Sequence, residues 1–246
     1  MNKPLINVLR VSGWPIVRQL QAEEALLRAD TGNWCLINEK AAPAVVLGIS
    51  SKPEQHLNLI KLKQSPIPVF RRYSGGGSVV IDHDTLFVTL IANEACSGVS
   101  CRPDLIMKWN GQLYSQLFKD AYQVVENDFT YQGRKFGGNA QYLTKRRWLQ
   151  HTSLLWDFTD EMMDYLQHPP KSPKYRDGRL HGEFLCRLKE VCRTPDAIFS
   201  KILARLSAQF KIHVRSENDL EPILALPHRQ TTANLGVDMS IFTTKI

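Results

Sequence analysis

No apolar stretch in these 246 residues approaches the roughly 18 that a membrane-spanning helix needs; Thr85–Ala92 is among the longest. The opening residues, MNKPLINVLR, carry one lysine but no long apolar segment and no small-residue cleavage site, so no secretory signal is expected. The expected location is the cytoplasm, with an organellar one left open. Cysteine is sparse and odd in number: Cys35, Cys96, Cys101, Cys186 and Cys192 form no disulfide framework, and reduced thiols are expected. Cys96 and Cys101 lack the second close pair that a zinc finger needs. Repeats and low-complexity tracts are missing too. What is present, 43% hydrophobic and 22% charged residues, is a globular composition that argues against disorder or a collagen-like fibre. The length fits one large domain. Lys and Arg (31) exceed Asp and Glu (24), a net +7 that raises nucleic acid as a partner.

Residues 15–29 read as a helix, with Leu20, Ala22, Ala25, Leu26 and Leu27 close together and Pro15 suited to the first turn. Strands are expected at Trp34–Asn38, Ala44–Gly48 and Ile67–Arg71. Ser78–Asp82 with Thr85–Ala92 reads as a hairpin turning at His83-Asp84. Helical spacing over 103–123 predicts a helix lying on a sheet. Phe129–Gln132 and Asn139–Leu143 flank a glycine-containing turn, and Arg147–Trp156 reads as a strand. A short helix at 159–167 should stop before Pro169-Pro170, and Thr194-Pro195-Asp196 opens a helix over 194–210. The pattern predicts α+β, a largely antiparallel mixed sheet with flanking helices. Residues 1–215 are expected to form the main domain and 216–246 a tail.

Two stretches carry chemistry. In RRYSGGGSVVID (71–82), three consecutive glycines let the backbone approach a ligand and aim successive N–H groups at phosphate or carboxylate oxygens, while Arg71 and Arg72 supply charge. A flexible turn with solvated arginines is the plainer alternative. The common nucleotide fingerprints, GxxxxGK[ST] and GxGxxG, are absent from this loop. In NDFTYQGRKFGGNAQ (127–141), Lys135 stands before two glycines, where a compact ammonium can reach a site walled by backbone. Taken alone, Arg-Lys is also a common surface turn pair. His151, in QHTSLL, lies in an expected strand.

In that order and at those separations, the three segments resemble the lipoate–protein ligase branch of the biotin/lipoate ligase superfamily. The similarity extends to Glu23-Glu24 and to Val45-Val46-Leu47-Gly48, and covers about residues 15–165. It implies a catalytic domain related in fold to class II tRNA synthetases, and a two-step reaction: ATP and magnesium activate lipoate or octanoate to an acyl-adenylate, and a lysine of an apo lipoyl domain accepts the acyl group. Acceptors would be 2-oxoacid dehydrogenase E2 subunits and the glycine cleavage H protein. By the same matching Lys135 is the catalytic residue and contacts both acyl group and α-phosphate. Arg72 would bridge lipoate and nucleotide; Ser74, Gly75, Gly76, Gly138 and His151 would line the lipoyl group; Gly77, Ser78, Val79 and Val80 would contact ATP. Metal ligands stay open, with Asp128 as the candidate.

This chain departs from the family in two places. Ile81-Asp82-His83-Asp84 stands where the family commonly has His-Asp then Gly-Asn, so His83 either replaces the histidine or sits at a hairpin tip. Pro173–His181 takes the place of a Ser-Val-Arg-Ser-Arg-Val stretch. The nearest rival is an ATP-independent octanoyl or lipoyl transferase of the same fold, which needs a cysteine shortly before the GRK segment; Val124–Phe129 has none. Arginines between the glycines, usual in biotin ligases, are also missing. Spread-out charge without an RNP-like motif argues against nucleic acid. Lys145, Arg146, Arg147, Lys171, Lys174, Arg176 and Arg179 are instead expected to form a basic rim for an acidic acceptor protein. About 35 residues follow the 194–210 helix, too few for a full accessory domain, so a separate accessory polypeptide is one expected partner and a membrane is not.

Overall fold

The computed structural model describes residues 2–118, 121–168 and 172–236. Its first half runs β1 (Leu5–Ser12), α1 (Ile16–Arg28), β2 (Trp34–Glu39), β3 (Ala44–Leu47), α2 (Pro53–His56), α3 (Leu59–Gln64), β4 (Val69–Arg71), β5 (Val79–Ile81), β6 (Thr85–Asn93), α4 (Glu94–Ser97) and α5 (Pro103–Ser115). Then follow β7 (Tyr122–Val125), β8 (Asp128–Tyr131), β9 (Arg134–Leu143), β10 (Arg147–Leu155), α6 (Asp160–Met163), α7 (His181–Phe184), α8 (Pro195–Gln209), β11 (Lys211–Arg215), α9 (Glu221–Leu224) and β12 (Ala233–Asn234). Eight strands form one mixed sheet in the order β11-β1-β2-β6-β10-β9-β8-β7, and four form a smaller one, β12-β4-β3-β5. Most pairs are antiparallel; β1 with β11, β1 with β2, and β3 with β4 are parallel.

Period-two alternation on β6 divides the core. Leu86, Val88, Leu90 and Ala92 point to a layer made by Ile106, Met107, Leu113 and Tyr114 of α5 and Ile198, Phe199, Ile202 and Leu206 of α8. Ile91 points the other way, onto Ala22, Leu26 and Leu27 of α1. Burying each such leucine is worth roughly 1.5–3 kcal/mol. Thr194 caps α8, its hydroxyl accepting from Ala197 N at 3.2 Å, and Pro195 fills the first turn.

Three expectations change. Val79–Ile81 does not pair with β6: Ala44 faces Ile81 and Val46 faces Val79, so the strands before and after the His83-Asp84 turn enter different sheets. Asp82 makes that exchange, its Oδ1 accepting from the Thr85 hydroxyl and Asp84 N at 3.0 Å each. The helix expected over 103–123 ends at Ser115, because Tyr122–Val125 is taken by the sheet edge opposite Asp128–Tyr131. The helix at 159–167 is one turn, Asp160–Met163, after which Leu166 bridges to Leu57. Pro169, Pro170 and Lys171 lie outside the described residues.

Past residue 215 the chain folds back over α1. Thr231 and Thr232 each donate main-chain N–H and hydroxyl to the buried Glu24 carboxylate, and β12 then pairs with β4. Among the described residues no helix is long and apolar enough to cross a membrane.

Candidate functional site: a glycine loop and a lysine hairpin around one cavity

The loop between β4 and β5 is pinned from both sides. Arg72 N donates to Leu47 O at 2.9 Å and Ile49 N to Ser74 O at 3.0 Å. A Cβ on Gly48 would lie 2.0 Å from Gly76 O, so only glycine permits this approach; Gly76 itself has φ +101. Inside the loop the buried Arg72 guanidinium donates to Gly75 O and Gly77 O at 2.8 Å each, and its Nε to Ser74 Oγ at 3.1 Å. Burial pushes its pKa down to about 10, partly offset by Glu23, so it stays a cation at neutral pH. Arg71 points elsewhere, clamping the carbonyls of Gly48, Ile49 and Ser51. The solvated-arginine alternative therefore does not hold.

Across the cavity stands the β8–β9 hairpin. Thr130 faces Lys135 but Phe129 faces Gly137, so β9 carries one extra residue, the fully buried Phe136. Such a bulge re-aims neighbouring side chains. Lys135 folds over Gly138, where a Cβ would come within 3.2 Å of its Nζ, and pairs with Asp128 Oδ1 at 2.8 Å. The other Asp128 oxygen accepts from Tyr175 OH at 2.8 Å. The main chain of Lys135 is buttressed as well, its carbonyl accepting from Cys186 N at 2.8 Å.

Behind the wall runs a buried polar chain. Glu23, on α1, receives Thr89 Oγ1 at 2.6 Å, Gln19 Nε2 at 2.8 Å and His151 Nδ1 at 3.0 Å. His151 Nε2 lies 3.3 Å from Ser74 Oγ. The carboxylate is wholly buried, and these donors replace the water it has lost.

A cavity of about 430 Å³ joins these parts, a size suited to a small ligand. Arg72, Gly76–Val80, Lys135, Gly138, His151 and Asp128 line it; Ser74 and Gly75 do not, and Ser74 meets it only through Arg72 and His151. The Ser78 hydroxyl is buried without a partner. Ile16, Leu20 and Phe87, from one apolar cluster, and Leu155, Met163 and Phe184, from another, also line it. None of the five cysteines lines it; burial pushes the Cys35 thiol up to about 12 and raises that of Cys186. Among the described residues there is no group of three or more His, Cys, Asp or Glu fit to hold a metal.

His83 is exposed at the turn, while Ile81 is fully buried and lines the cavity, so His83 does not take the histidine's place. Three of the seven residues of the expected basic rim make internal contacts. Arg147 donates to Leu26 O and Gly32 O; Arg176 is buried against Phe184 and bonded to Arg179 O; Arg179 donates to Tyr175 O. Lys145, Arg146 and Lys174 are exposed, and Lys171 is outside the described residues. Sequence reasoning gave no role to Gln19, Glu23, Thr89 or Tyr175. The available signal was Gln19 and Glu23, four apart on the same helix face as Ile16, Leu20 and Leu27.

The family described as the lipoyl protein ligase A/B catalytic domain matches residues 15–211. The chain belongs to that family. Among curated proteins it is 28% identical over 216 residues to "Inactive lipoate–protein ligase 2" of Plasmodium falciparum, covering 71% of this chain. The match spans 56% of that relative, and 34% of a probable lipoate-protein ligase A of Mycoplasma pneumoniae. Among solved structures, the lipoate-protein ligase A crystal structure bound with ATP superposes with a TM-score of 0.69 at 17% identity, covering 90% of this chain and 92% of that one. The bipartite lipoate protein ligase of Thermoplasma acidophilum, described with its E2 lipoyl domain, gives 0.70 at 20% identity and 91% coverage of both. At these identities the likeness is one of fold.

Proposed function

We propose that this protein activates lipoate, or a medium-chain acid of similar shape such as octanoate, with ATP and passes the acyl group to a lysine of an apo lipoyl domain. In the first step a carboxylate oxygen attacks the α-phosphorus, the bond to the bridging oxygen breaks, and pyrophosphate leaves. In the second an uncharged lysine amine attacks the acyl carbonyl, AMP leaves, and the amine's proton goes to solvent. Both steps gather negative charge on oxygens. The observation that carries the reading is the pairing of two cations, Lys135 and Arg72, on one cavity with a glycine loop and two groups of apolar side chains.

Before substrate arrives, Lys135 is neutralised by Asp128. A carboxylate and a phosphate compete for the same ammonium, and inside a protein cavity that exchange stabilises developing charge more than it does in bulk solvent. The cation is held ready, so little reorganisation is left for the transition state. Arg72 spends three donors on its own loop and thereby fixes the path of Gly75–Gly77. The orphaned Ser78 hydroxyl is suited to a polar group of the nucleotide.

Magnesium would come with the nucleotide, held chiefly by phosphate oxygens and water, where it shields the polyphosphate from an incoming anion. Asp128 and Glu126, the carboxylates nearest Lys135 along the cavity-lining chain, already accept hydrogen bonds from Tyr175 and from Lys174 N, so they offer no ready cage. Acceptors of the E2 and H-protein kind, a separate accessory polypeptide, and a main domain of 1–215 remain part of the proposal. The cysteine-dependent transferase is disfavoured by thiols that lie off the cavity.

Purified protein incubated with ATP, lipoate, magnesium and an apo lipoyl domain should yield lipoylated acceptor and pyrophosphate. Transfer from an octanoyl carrier protein in the absence of ATP would instead support the rival.

A further inference from the structure

Glu23 does not itself line the cavity, but it is wholly buried, bonds to the cavity-lining His151, and closes a chain of hydrogen bonds that ends on Arg72. The chain has a direction. It begins at a main-chain carbonyl, which can only accept: Asn38 Nδ2 donates to Trp14 O at 3.1 Å and to Gln19 Oε1 at 3.0 Å. That fixes the Gln19 amide, whose Nε2 donates to Glu23 Oε1 at 2.8 Å. Thr89 Oγ1, 2.6 Å away, donates to the same oxygen. The second carboxylate oxygen faces His151 Nδ1 at 3.0 Å, which places the ring proton on Nδ1 and leaves Nε2 to accept. Ser74 Oγ, already taking the Arg72 Nε proton, then gives its own proton to Nε2. The Arg72 Nε proton is shared between Ser74 Oγ and Gly75 O, the latter at 3.2 Å, and Tyr73 OH adds a long contact of 3.5 Å to the outer Glu23 oxygen.

We propose that Glu23 is a positioning residue: by holding His151 in the Nδ1–H tautomer it commits the Ser74 hydroxyl and so sets the orientation of the Arg72 guanidinium over the glycine loop. The ligand class is that of the reading above, on which the activity part of this inference rests. Glu23→Gln is nearly isosteric and makes a specific demand. Gln19 and Thr89 donate to the inner oxygen at 2.8 and 2.6 Å, against a 3.5 Å contact from Tyr73 OH at the outer one, so the new amide turns its oxygen inward and its NH2 toward His151. Nδ1 must then accept, and the ring proton moves to Nε2. Ser74 Oγ then receives two donors, and its own proton turns away from the ring.

The test is ¹⁵N NMR of the imidazole nitrogens at neutral pH, with His151 assigned by the signals lost in His151→Asn. Wild type should show the Nδ1–H tautomer, and Glu23→Gln the Nε2–H tautomer. A wild-type ring with its proton on Nε2, or protons on both nitrogens, overturns the proposal without any variant having to fold. For acyl-adenylate formation Glu23→Gln should lower kcat by roughly tenfold, the scale on which groups that orient a functional ligand act, with KM for ATP within about twofold. Unchanged kcat alongside a switched tautomer also overturns it. If wild type forms no acyl-adenylate, the proposed function fails while the tautomer result still decides whether the chain of hydrogen bonds exists.

Discussion

Lys135 and Asp128 meet at 2.8 Å although they are not partners in the β8–β9 ladder: Asp128 stands opposite Gly138, and the lysine reaches it by lying across that glycine. The bulge at Phe136 and the missing side chain at 138 are thus two parts of one device. A methyl group at 138 would sit 3.2 Å from Nζ and 3.4 Å from Ser153 Oγ. Gly138→Ala should therefore leave the thermal midpoint nearly unchanged, because the lysine end can swing away, while acyl-adenylate formation falls several-fold. Steady-state kinetics with a parallel thermal melt checks this; full activity would show that the lysine does not work from this position.

Tyr175 belongs to the segment that replaces the family's usual stretch, and its hydroxyl holds the second Asp128 oxygen. Burial, with Asp128 beside it, pushes its pKa well above the ordinary tyrosine value, so it remains a donor at any working pH. Tyr175→Phe should cost about 0.5–1.5 kcal/mol in chemical denaturation. It should also leave Asp128 to compete harder for Lys135, raising KM for the acid substrate. A variant with wild-type stability and kinetics would place Tyr175 outside the site.

Glu24 ties the returning C-terminal segment to α1. Burial alone would raise its carboxyl, but the hydroxyl and main-chain N–H of Thr231, the N–H of Thr232, and Arg28 together hold it below the ordinary value. A depressed carboxyl stabilises the fold above its unfolded-state pKa, about 4.3, and that contribution is lost as pH falls through the lower folded-state value. The acid limb of a stability profile should accordingly be flatter in Glu24→Gln. Glu24→Ala, which leaves the two threonine N–H groups without their acceptor, should lose about 2–4 kcal/mol at neutral pH. Identical acid limbs in wild type and Glu24→Gln would contradict this role.

Gly48 and Gly76 touch across two segments, and a Cβ at 48 would overlap Gly76 O. Gly48→Ala must push the glycine loop outward, taking with it the carbonyls that Arg72 grips. ATP affinity, measured by calorimetry, should fall about tenfold or more while the chain remains folded. Unchanged affinity would mean that the loop does not carry the nucleotide.

Much of this was legible in the sequence. The α1 stripe, the β2, β3 and β10 strands and the Thr194 cap follow from local periodicity and end signals, and the glycine and lysine segments announced themselves by composition. Strands β1 and β11 leave no such mark: they pair in parallel across more than 200 residues of sequence, Leu5 against Lys211, and local pattern carries no record of so distant a partner. The separation of β5 from β6 is hidden for the same reason, since two apolar runs beside a turn look alike whether they pair with each other or with different sheets. Strand parity puts His83 on the face of Ile81, but the turn leaves it exposed. In the sequence Glu23 is only a point of similarity, because the need for a buried carboxylate appears only when Thr89 and His151, neighbours in the β6–β10 register, are brought beneath α1.

The central claim is that the Lys135 ammonium serves the activation step. Wild type and Lys135→Ala, each shown to be folded by circular dichroism, are incubated with ATP, lipoate and magnesium, and the small-molecule product is read by mass spectrometry. The account predicts lipoyl-adenylate from wild type and none above background from the variant; adenylate from Lys135→Ala at a rate near wild type would contradict it.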